Sequence, residues 1–338
     1  MATDNLIGNP SAQAPTGKNI IMCLTTGRSG TNLLEKLLAL ADDICSQHEP
    51  EPAFQRVLNE VRHSPEAAIA FVKDIKLPDI MARPGHHYAE ASHLFGKGFF
   101  EAFVALGIPF RLIVLNRNPR QVAKSYWRIR AVPGRTRGGH DFLLDPDQPG
   151  VLALPGWQRM SDYQLCFWYC LEVERRKSVY TEVCKTRGIP VLETSIEELK
   201  DWTRFQSLCE KLGLVLRQGA AEEHGKITAV KLNRKAKHRP RFTLSSFARQ
   251  EAKVWKALGE ESSVLRSEIQ ARYPTSPQGW DWLFDTLPLE DIGWLVQAIG
   301  RELKASHNKL ETLQSLASRG WASVRSSSPG NRKIGRSA

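Results

Sequence analysis

Short apolar segments alternate with longer segments of helical periodicity along the first two thirds of the chain. The continuously apolar segments lie at 20–24, 68–72, 110–115 and 190–193. Apolar residues recur with helical spacing near 31–41, 50–62, 88–106, 119–130 and 157–187. Strands that are apolar on both faces and alternate with helices are typical of a parallel sheet covered on both sides. The pattern therefore predicts an α/β fold, a doubly wound parallel sheet flanked by helices.

The other segments indicate how the chain is divided. We predict an α/β domain over 18–243, a helical C-terminal extension over 244–320, and disordered segments at 1–17 and 321–338. The C-terminal helices are a candidate surface for a homodimer. Residues 131–156 are rich in Pro and Gly and show little periodicity, which predicts a long loop that acts as a lid.

The composition excludes global disorder and points to an anionic partner. Hydrophobic residues make up 41% of the 338 residues, which is enough for a core. The net charge is +11, from 47 basic and 36 acidic residues, and such a surplus suits an anionic ligand, a nucleic acid or a membrane surface. Basic residues cluster without any acidic residue at 111–139, 226–241 and 319–338. The third cluster lies in a Ser- and Gly-rich end that is typical of a tail.

Cysteine usage and the N-terminus favour a cytoplasmic protein. The six cysteines include no zinc-type pair, and Cys166 and Cys170 lie one helical turn apart in an apolar stretch. This spacing indicates buried thiols. Residues 1–18 are polar, and no apolar run is long enough for a transmembrane segment. We therefore predict a soluble protein in a reducing compartment.

Residues 19–34 combine a predicted strand, a short polar turn and the start of a helix. At such a turn the backbone N–H groups converge and the helix N-terminus adds partial positive charge, which suits a phosphate-like anion. The loop of nucleotide triphosphatases, G-x-x-x-x-G-K-[ST], supplies a Lys for the phosphates and a hydroxyl for magnesium. Here Gly30 is followed by Thr31 and Asn32, and the cation, Arg28, comes earlier. We therefore predict an anion site that requires no metal.

A second strand-to-helix junction, at 110–127, also suits an anion. Asn118 can cap a helix whose first residue is Pro119. Arg117 is then expected at the carboxyl end of a strand, on the same sheet edge as the first turn, with Ser125 on the following helix. A guanidinium and a hydroxyl directed into one crevice suit a second phosphate. The alternative is that Arg117 pairs with a carboxylate and Ser125 is solvated.

Together the two junctions resemble the donor site of sulfotransferases that use 3′-phosphoadenosine 5′-phosphosulfate (PAPS). Thr26-Gly-Arg-Ser-Gly-Thr-Asn-Leu-Leu is similar to the family's 5′-phosphosulfate loop, P-[KR]-S-G-T-T. Leu115-Asn-Arg-Asn-Pro-Arg-Gln-Val-Ala-Lys-Ser-Tyr is similar to its 3′-phosphate motif, R-[DN]-P-x-D-x-x-x-S. Gly27 departs from the usual Pro of the first motif, and Gln121 or its neighbour from the usual acidic residue of the second. The resemblance covers residues 19–130 and implies a sulfotransferase fold related to P-loop proteins.

The resemblance implies a role for each matched residue. Arg28 would bind the 5′-phosphosulfate and stabilise charge during transfer. Arg117 and Ser125 would hold the 3′-phosphate. The amides that would cradle the phosphosulfate are those of Ser29, Gly30, Thr31 and Asn32. Sulfuryl transfer resembles phosphoryl transfer in depending on in-line positioning and charge neutralisation.

A general base must also take the proton of the acceptor hydroxyl. In tyrosylprotein-type and many bacterial sulfotransferases a Glu follows the first helix. The ungapped count from the loop Arg places it at Glu49, with His48 and Glu51 as alternatives. The alternative is that Glu49 is a turn carboxylate or a salt-bridge partner of the basic segments.

Cytosolic sulfotransferases instead place a catalytic His in a Lys-Thr-His-Leu-Pro segment. The segment Val72-Lys-Asp-Ile-Lys-Leu-Pro resembles it but has Lys76 at the His position. Lys is a poor base unless its pKa is strongly lowered. The absence of His there favours Glu49 as the base, and leaves Lys73 or Lys76 to line the substrate cleft.

The third basic segment, 230–240, contains Asn233, Arg234 and Lys235. Many sulfotransferases have a late loop of this kind that closes over the 3′-phosphate, which makes these residues candidates by resemblance. A solvated face or a site for an anionic glycan fits the segment equally well.

The sequence therefore predicts a PAPS-dependent O-sulfotransferase that acts on a hydroxylated acceptor. A carbohydrate or small metabolite is the favoured acceptor, and a protein tyrosine is an alternative. A P-loop kinase or nucleotide hydrolase is disfavoured by the missing G-K-[ST]. A non-enzymatic polyanion binder would not explain why Arg28 and Arg117 each follow a strand, and we expect no specific nucleic-acid partner.

Overall fold

A five-stranded parallel sheet forms the centre of the structure, a computed structural model that describes residues 17–230 and 244–273. Its strands are β1 (Asn19–Leu24), β2 (Ile44–Gln47), β3 (His87–Glu90), β4 (Arg111–Asn116) and β5 (Val191–Ser195). In space they follow the order β2-β3-β1-β4-β5. Every neighbouring pair is parallel, so the predicted α/β class with a parallel sheet is confirmed.

Helices connect the strands and cover the sheet. Before β4 they are α1 (Thr31–Leu38), α2 (Leu58–Val61), α3 (Pro65–Phe71), α4 (Leu77–Ala82) and α5 (Phe100–Ala105). Between β4 and β5 they are α6 (Pro119–Arg128), α7 (Arg137–Phe142) and α8 (Asp162–Thr186). After β5 they are α9 (Ile196–Lys200), α10 (Trp202–Lys211), α11 (Ala220–Ala229), α12 (Leu244–Leu258) and α13 (Ser263–Arg272). Short 3₁₀- or π-helical turns lie at Phe54–Val57, Val72–Lys76, Phe95–Phe99, Trp157–Arg159 and Glu260–Ser262.

Strand residues alternate between two apolar layers, as the two-residue period of a strand requires. On β1, the buried Met22 faces one layer and the buried Cys23 faces the other. The first layer contains aromatic residues of α3 and α5, and the second contains the leucines of α1 together with residues of α10 and α11. Both faces of the sheet are therefore covered, which explains why β1 and β4 are continuously apolar.

The long helix α8 links the sheet to a third apolar cluster. It begins with a capping box in which Ser161 and Gln164 exchange hydrogen bonds. Its Trp168 is fully buried in a cluster shared with α6, α12 and α13. Helix α12 enters this cluster through Val254 and Leu258. The described part of the predicted C-terminal extension thus packs against α6 and α8.

The segment 68–72 is helical, so the prediction of a strand there is wrong. It belongs to α3 and the π-helical turn that follows. Pro65 occupies the first helical position after an extended Ser64, and Pro at that position is pre-organised for a helix. A short apolar run does not by itself distinguish a buried strand from a buried helix, and the alanines of this one favour a helix.

Two strands, β2 and β3, carry no clear sequence signal. The partly exposed β2 reads Ile-Cys-Ser-Gln and lies at an edge of the sheet. Strand β3 occupies the start of the segment 88–106, for which we predicted a helix, and helical structure begins only at Phe95. Both strands form through pairing between distant residues, such as Ser46 with Ala89.

Other predictions can be compared only in part. The predicted loop 131–156 contains the short helix α7. All six cysteines are free, with Cys166 and Cys170 buried as predicted. Among the described helices, none combines the length and the apolar character that a membrane span requires. The predicted disordered ends and residues 274–320 of the C-terminal extension lie outside the described residues, apart from Gly17.

Strands β1 and β4 are neighbours in the sheet, and the chain continues from them towards opposite edges of the sheet. From β1 the chain passes through α1 to β2 on one side, and from β4 it passes to β5 on the other. Their register pairs Leu24 with Val114. Open α/β sheets bind ligands in the crevice at the carboxyl ends of such strands, and both predicted anion motifs follow these two strands.

Candidate active site

The turn between β1 and α1 presents backbone N–H groups that have no hydrogen-bond partner among the described residues. Left-handed φ angles of 77° at Gly27, 54° at Arg28 and 94° at Gly30 shape the turn. Within the described residues, no hydrogen bond is formed by the amides of Ser29, Gly30, Thr31 and Asn32. Unpaired amides at a helix start form a cradle for an anion.

Side chains from the neighbouring elements hold the turn in place. The hydroxyls of Tyr126 on α6 and Tyr169 on α8 both donate to the carbonyl oxygen of Thr26, at 2.7 and 2.8 Å. The hydroxyl of Thr25 donates to the carbonyl oxygen of Leu115 on β4, at 3.0 Å. The cradle is therefore fixed before any ligand binds, as electrostatic catalysis requires.

Gly27 is required by its surroundings. A Cβ atom there would lie 2.3 Å from the Tyr126 hydroxyl oxygen and 2.8 Å from Cγ of His93. Its φ of 77° is also inaccessible to Pro, whose ring fixes φ near −65°. The departure from the family's usual Pro thus has a local steric cause.

The second motif lies against the first, at the edge of the sheet where we predicted it. Asn118 caps α6 by accepting from the amide of Arg120 at 3.0 Å. Nε of Arg28 donates to the Ser125 hydroxyl at 3.1 Å. Arg117 donates through Nη1 to the carbonyl oxygen of Arg28. Residues 89 and 97 positions apart in sequence are thereby brought into direct contact.

Neither guanidinium forms an ion pair with a carboxylate in the described part of the chain. Arg117 bonds the carbonyl oxygen of Arg28 and, at 3.3 Å, the side-chain oxygen of Gln121, rather than a carboxylate. Burial lowers the pKa of Arg117, and the charge of Glu197 partly opposes this effect. A guanidinium nonetheless stays charged at neutral pH, so the crevice carries two cations that favour an anion.

The predicted base, Glu49, forms a pair with His93. The two side chains follow β2 and β3, whose carboxyl ends lie next to each other. Oε1 of Glu49 is hydrogen-bonded to Nδ1 of His93, and the side chains are only 26% and 12% exposed. Because the His93 ring also packs against Gly27, the pair lies beside the anion cradle.

The pair combines a carboxylate with a neutral imidazole. Burial raises the pKa of Glu49, but His93, His48 and Lys97 outweigh it and lower the value to about 2. Burial lowers the pKa of His93. We therefore assign the Nδ1–H tautomer, in which Nδ1 donates to the carboxylate. Nε2 of His93 makes no hydrogen bond within residues 17–230 and 244–273 and can accept a proton.

The alternative bases make other contacts. Nε2 of His48 contacts the Thr31 hydroxyl at 2.9 Å and the Asn32 side-chain amide at 3.1 Å. Glu51 is 67% exposed and forms a salt bridge with Arg56 at 2.7 Å. His48 therefore contacts the start of α1, and Glu51 lies in an exposed turn.

Lys76 does not line an open cleft, so the expectation for this lysine is wrong. Its side chain is fully buried and pairs with Glu90 at 2.8 Å. It also donates to the carbonyl oxygen of Pro52 at 3.1 Å. This lysine fixes the segment after Glu49 to β3.

No role is predicted for His93 from the sequence, in which the catalytic His position of cytosolic sulfotransferases aligns with Lys76. Ser92-His93-Leu94 shares a hydroxyl residue, His and Leu with Thr-His-Leu, whereas the segment at Lys76 lacks the His. The unexpected strand β3, which ends just before Ser92, concealed this signal within a predicted helix.

Two further site predictions stay predictions. Asn233, Arg234 and Lys235 lie outside the described residues. Among the described residues, no group of three or more His, Cys, Asp or Glu side chains could hold a metal ion.

Comparison with known proteins gives distant structural likenesses. The sulfotransferase domain from the curacin biosynthetic pathway is 14% identical, with a TM-score of 0.42, and covers 75% of this chain and 98% of that domain. The sulfotransferase domain from the Synechococcus PCC 7002 olefin synthase is 20% identical, with a TM-score of 0.38, and covers 62% of this chain and 78% of that domain. Mouse sulfotransferase SULT7A1 complexed with PAP is 14% identical, with a TM-score of 0.34, and covers 83% of this chain and 88% of the other.

All three structures are sulfotransferases, the family that the two motifs resemble. Their TM-scores lie below 0.5, so they carry no argument about function. No family model matches the chain, and no curated protein matches it. The case for a function therefore rests on the site itself.

Proposed function

We propose that this protein is a PAPS-dependent sulfotransferase that moves a sulfuryl group to a hydroxyl of a carbohydrate or small metabolite. One observation carries the proposal. Two guanidiniums without a carboxylate partner among the described residues, Arg28 and Arg117, meet in the crevice between β1 and β4, beside four unpaired amides. Such a crevice suits a ligand that carries two anionic groups.

The donor side follows from the chemistry of PAPS. Its 3′-phosphate and 5′-phosphosulfate are attached to one ribose, so they require two adjacent anion sites. The cradle amides and Arg28 would hold the phosphosulfate, and Arg117 with Ser125 would hold the 3′-phosphate. The Ser125 hydroxyl accepts from Nε of Arg28 at 3.1 Å, which supports two adjacent anion sites. Arg28 is positioned to stabilise charge that develops on the leaving phosphate.

The acceptor side is served by Glu49 and His93 together. Oε1 of Glu49 is engaged by Nδ1 of His93, whereas Nε2 of His93 makes no hydrogen bond among the described residues and can take a proton. We propose that Nε2 of His93 takes the proton of the acceptor hydroxyl. Glu49 fixes the tautomer and stabilises the resulting imidazolium. Glu49 thus stays in the catalytic machinery as the partner of the imidazole.

The proposal is tested by sulfate transfer from ³⁵S-labelled PAPS to a panel of hydroxylated sugars, phenols and tyrosine peptides. We expect labelled product with at least one acceptor, with and without a metal chelator. Arg28→Ala should reduce the rate at least about hundredfold. The control is Arg187→Ala, at an exposed position that precedes β5 on the opposite edge of the sheet. Transfer of phosphate from ATP and magnesium, with none from PAPS, would overturn the proposal in favour of a kinase.

A further inference from the structure

Two buried basic side chains, those of Arg62 and Lys97, bind the C-terminal end of helix α7. Nη2 of Arg62 donates to the carbonyl oxygen of His140 at 2.5 Å and also to that of Leu143. Nζ of Lys97 donates to the carbonyl oxygen of Phe142. The last carbonyls of a helix lack intrahelical partners, and cations are favourable there. Arg62 and Lys97 therefore hold the C-terminal end of α7.

Lys97 is a buried lysine, which is unusual for this residue type. Its side chain is only 2% exposed, and its Nζ lies 5.1 Å from the centre of the Tyr169 ring. Burial lowers the pKa of Lys97 well below its usual value, and the carboxylate of Glu49 raises it. Burying an amine is costly unless it makes specific contacts. Either protonation state of the amine keeps an N–H for the carbonyl oxygen of Phe142.

Phe142, whose carbonyl oxygen accepts from Lys97, also places its ring near His93. The Phe142 ring lies 6.3 Å from the His93 ring, centre to centre, at an angle of 32°. Phe142 is 37% exposed, so it forms an accessible aromatic wall beside the imidazole. Its placement depends on a helix of only six residues, which is too short to be stable on its own.

We propose that Lys97 is a positioning residue: by holding the carbonyl oxygen of Phe142, it keeps the Phe142 ring against His93 on the acceptor side of the site. The inference rests on the proposed function only in treating His93 as the proton acceptor. Without Lys97, the carbonyl oxygen of Phe142 would lose this donor, and the Phe142 ring would no longer be fixed beside the imidazole.

The test compares Lys97→Met, which keeps the length of the side chain and removes the donor, with Lys185→Met on an exposed lysine. Lys185 is 76% exposed and forms a loose pair with Glu182 at 3.7 Å. The probe is diethyl pyrocarbonate, which modifies accessible neutral imidazoles, and the rate at His93 is read by peptide mass spectrometry. Hydrogen exchange of residues 137–143, and of β4 as a check on the fold, is measured on the same proteins.

We expect Lys97→Met to raise the modification rate of His93 and the exchange rate at 137–143 about tenfold, with β4 unchanged. Lys185→Met should leave both rates at the wild-type value. Lys97→Arg, which restores a donor, should return His93 to near wild-type protection. In a Phe142→Leu background, Lys97→Met should have little further effect on His93, because the ring through which it acts is gone.

Three results would overturn the inference. They are an unchanged His93 rate in Lys97→Met, an equal effect of Lys97→Met with and without the Phe142 ring, and a failure of Lys97→Arg to restore protection while β4 stays protected. None of these measurements uses the transfer reaction. A failure of the proposed function would appear as absent sulfate transfer by the wild type and would leave these rates as they are.

Discussion

At the scale of single residues, the two central candidates share an uncommon backbone conformation. Arg28 and Glu49 have φ angles of 54° and 48°, in a region that non-glycine residues seldom occupy. Such a conformation costs about 1–2 kcal/mol per residue. Strain of this kind is concentrated at functional sites, where the surrounding structure enforces it. Here it directs one cation and one carboxylate from turns that each follow a strand.

The pH dependence of transfer tests the roles of Glu49 and His93. The imidazole must be neutral to accept a proton, and burial lowers its pKa below the usual 6.5. We therefore expect kcat/KM to be constant near neutral pH. It should fall at a pH below 6.5, where the imidazole becomes protonated, and this fall forms the acidic limb of the profile.

Replacing the carboxylate should move this limb. The charge of Glu49 raises the pKa of His93, so Glu49→Gln should shift the limb to lower pH. It should also reduce kcat about tenfold to hundredfold with little change in the KM for PAPS. The control is Glu182→Gln, at a side chain that is 69% exposed. Full turnover in Glu49→Gln, or a limb that moves to higher pH, would contradict the assigned roles.

At the scale of elements, the anion cradle depends on the packing of α6 and α8 beneath the turn. Tyr126 and Tyr169 come from these helices and converge on one carbonyl oxygen, that of Thr26. Their rings meet edge to face at 5.5 Å. The turn therefore has no room for a side chain at Gly27, and its shape follows from the two helices as much as from its own sequence.

Two glycine substitutions separate this crowding from backbone strain. Gly27→Ala places a methyl group 2.3 Å from the Tyr126 hydroxyl oxygen. At Gly107, with φ of 63°, a Cβ would meet nothing within 4 Å. We expect Gly107→Ala to lower the free energy of unfolding by about 1 kcal/mol. Gly27→Ala should cost about 2 kcal/mol more because of overpacking. Urea unfolding measures both, and equal losses would show that the turn is not crowded.

At the scale of the whole molecule, elements marked by apolar runs or helix caps could be predicted from the sequence, and elements that depend on long-range pairing could not. Strands β1 and β4 are apolar runs, and α6 begins with Asn118 and Pro119 at its cap, so all three were predictable. Strands β2 and β3 are short and partly polar, and they are defined by pairing across 43 residues. The pair of Glu49 and His93 joins positions 44 apart. Neither periodicity nor capping encodes such a contact.

In the proposed function, Arg28 and Arg117 form one site for two anionic groups of a single nucleotide. Isothermal titration calorimetry with 3′-phosphoadenosine 5′-phosphate (PAP) and adenosine 5′-phosphate tests this arrangement, because the two ligands differ only in the 3′-phosphate. We expect the wild type to bind PAP more tightly. Arg117→Ala should weaken PAP binding about tenfold to hundredfold and leave adenosine 5′-phosphate nearly unchanged, which removes the preference. Equal affinities of the wild type for both ligands, or an equal loss for both in Arg117→Ala, would contradict the account.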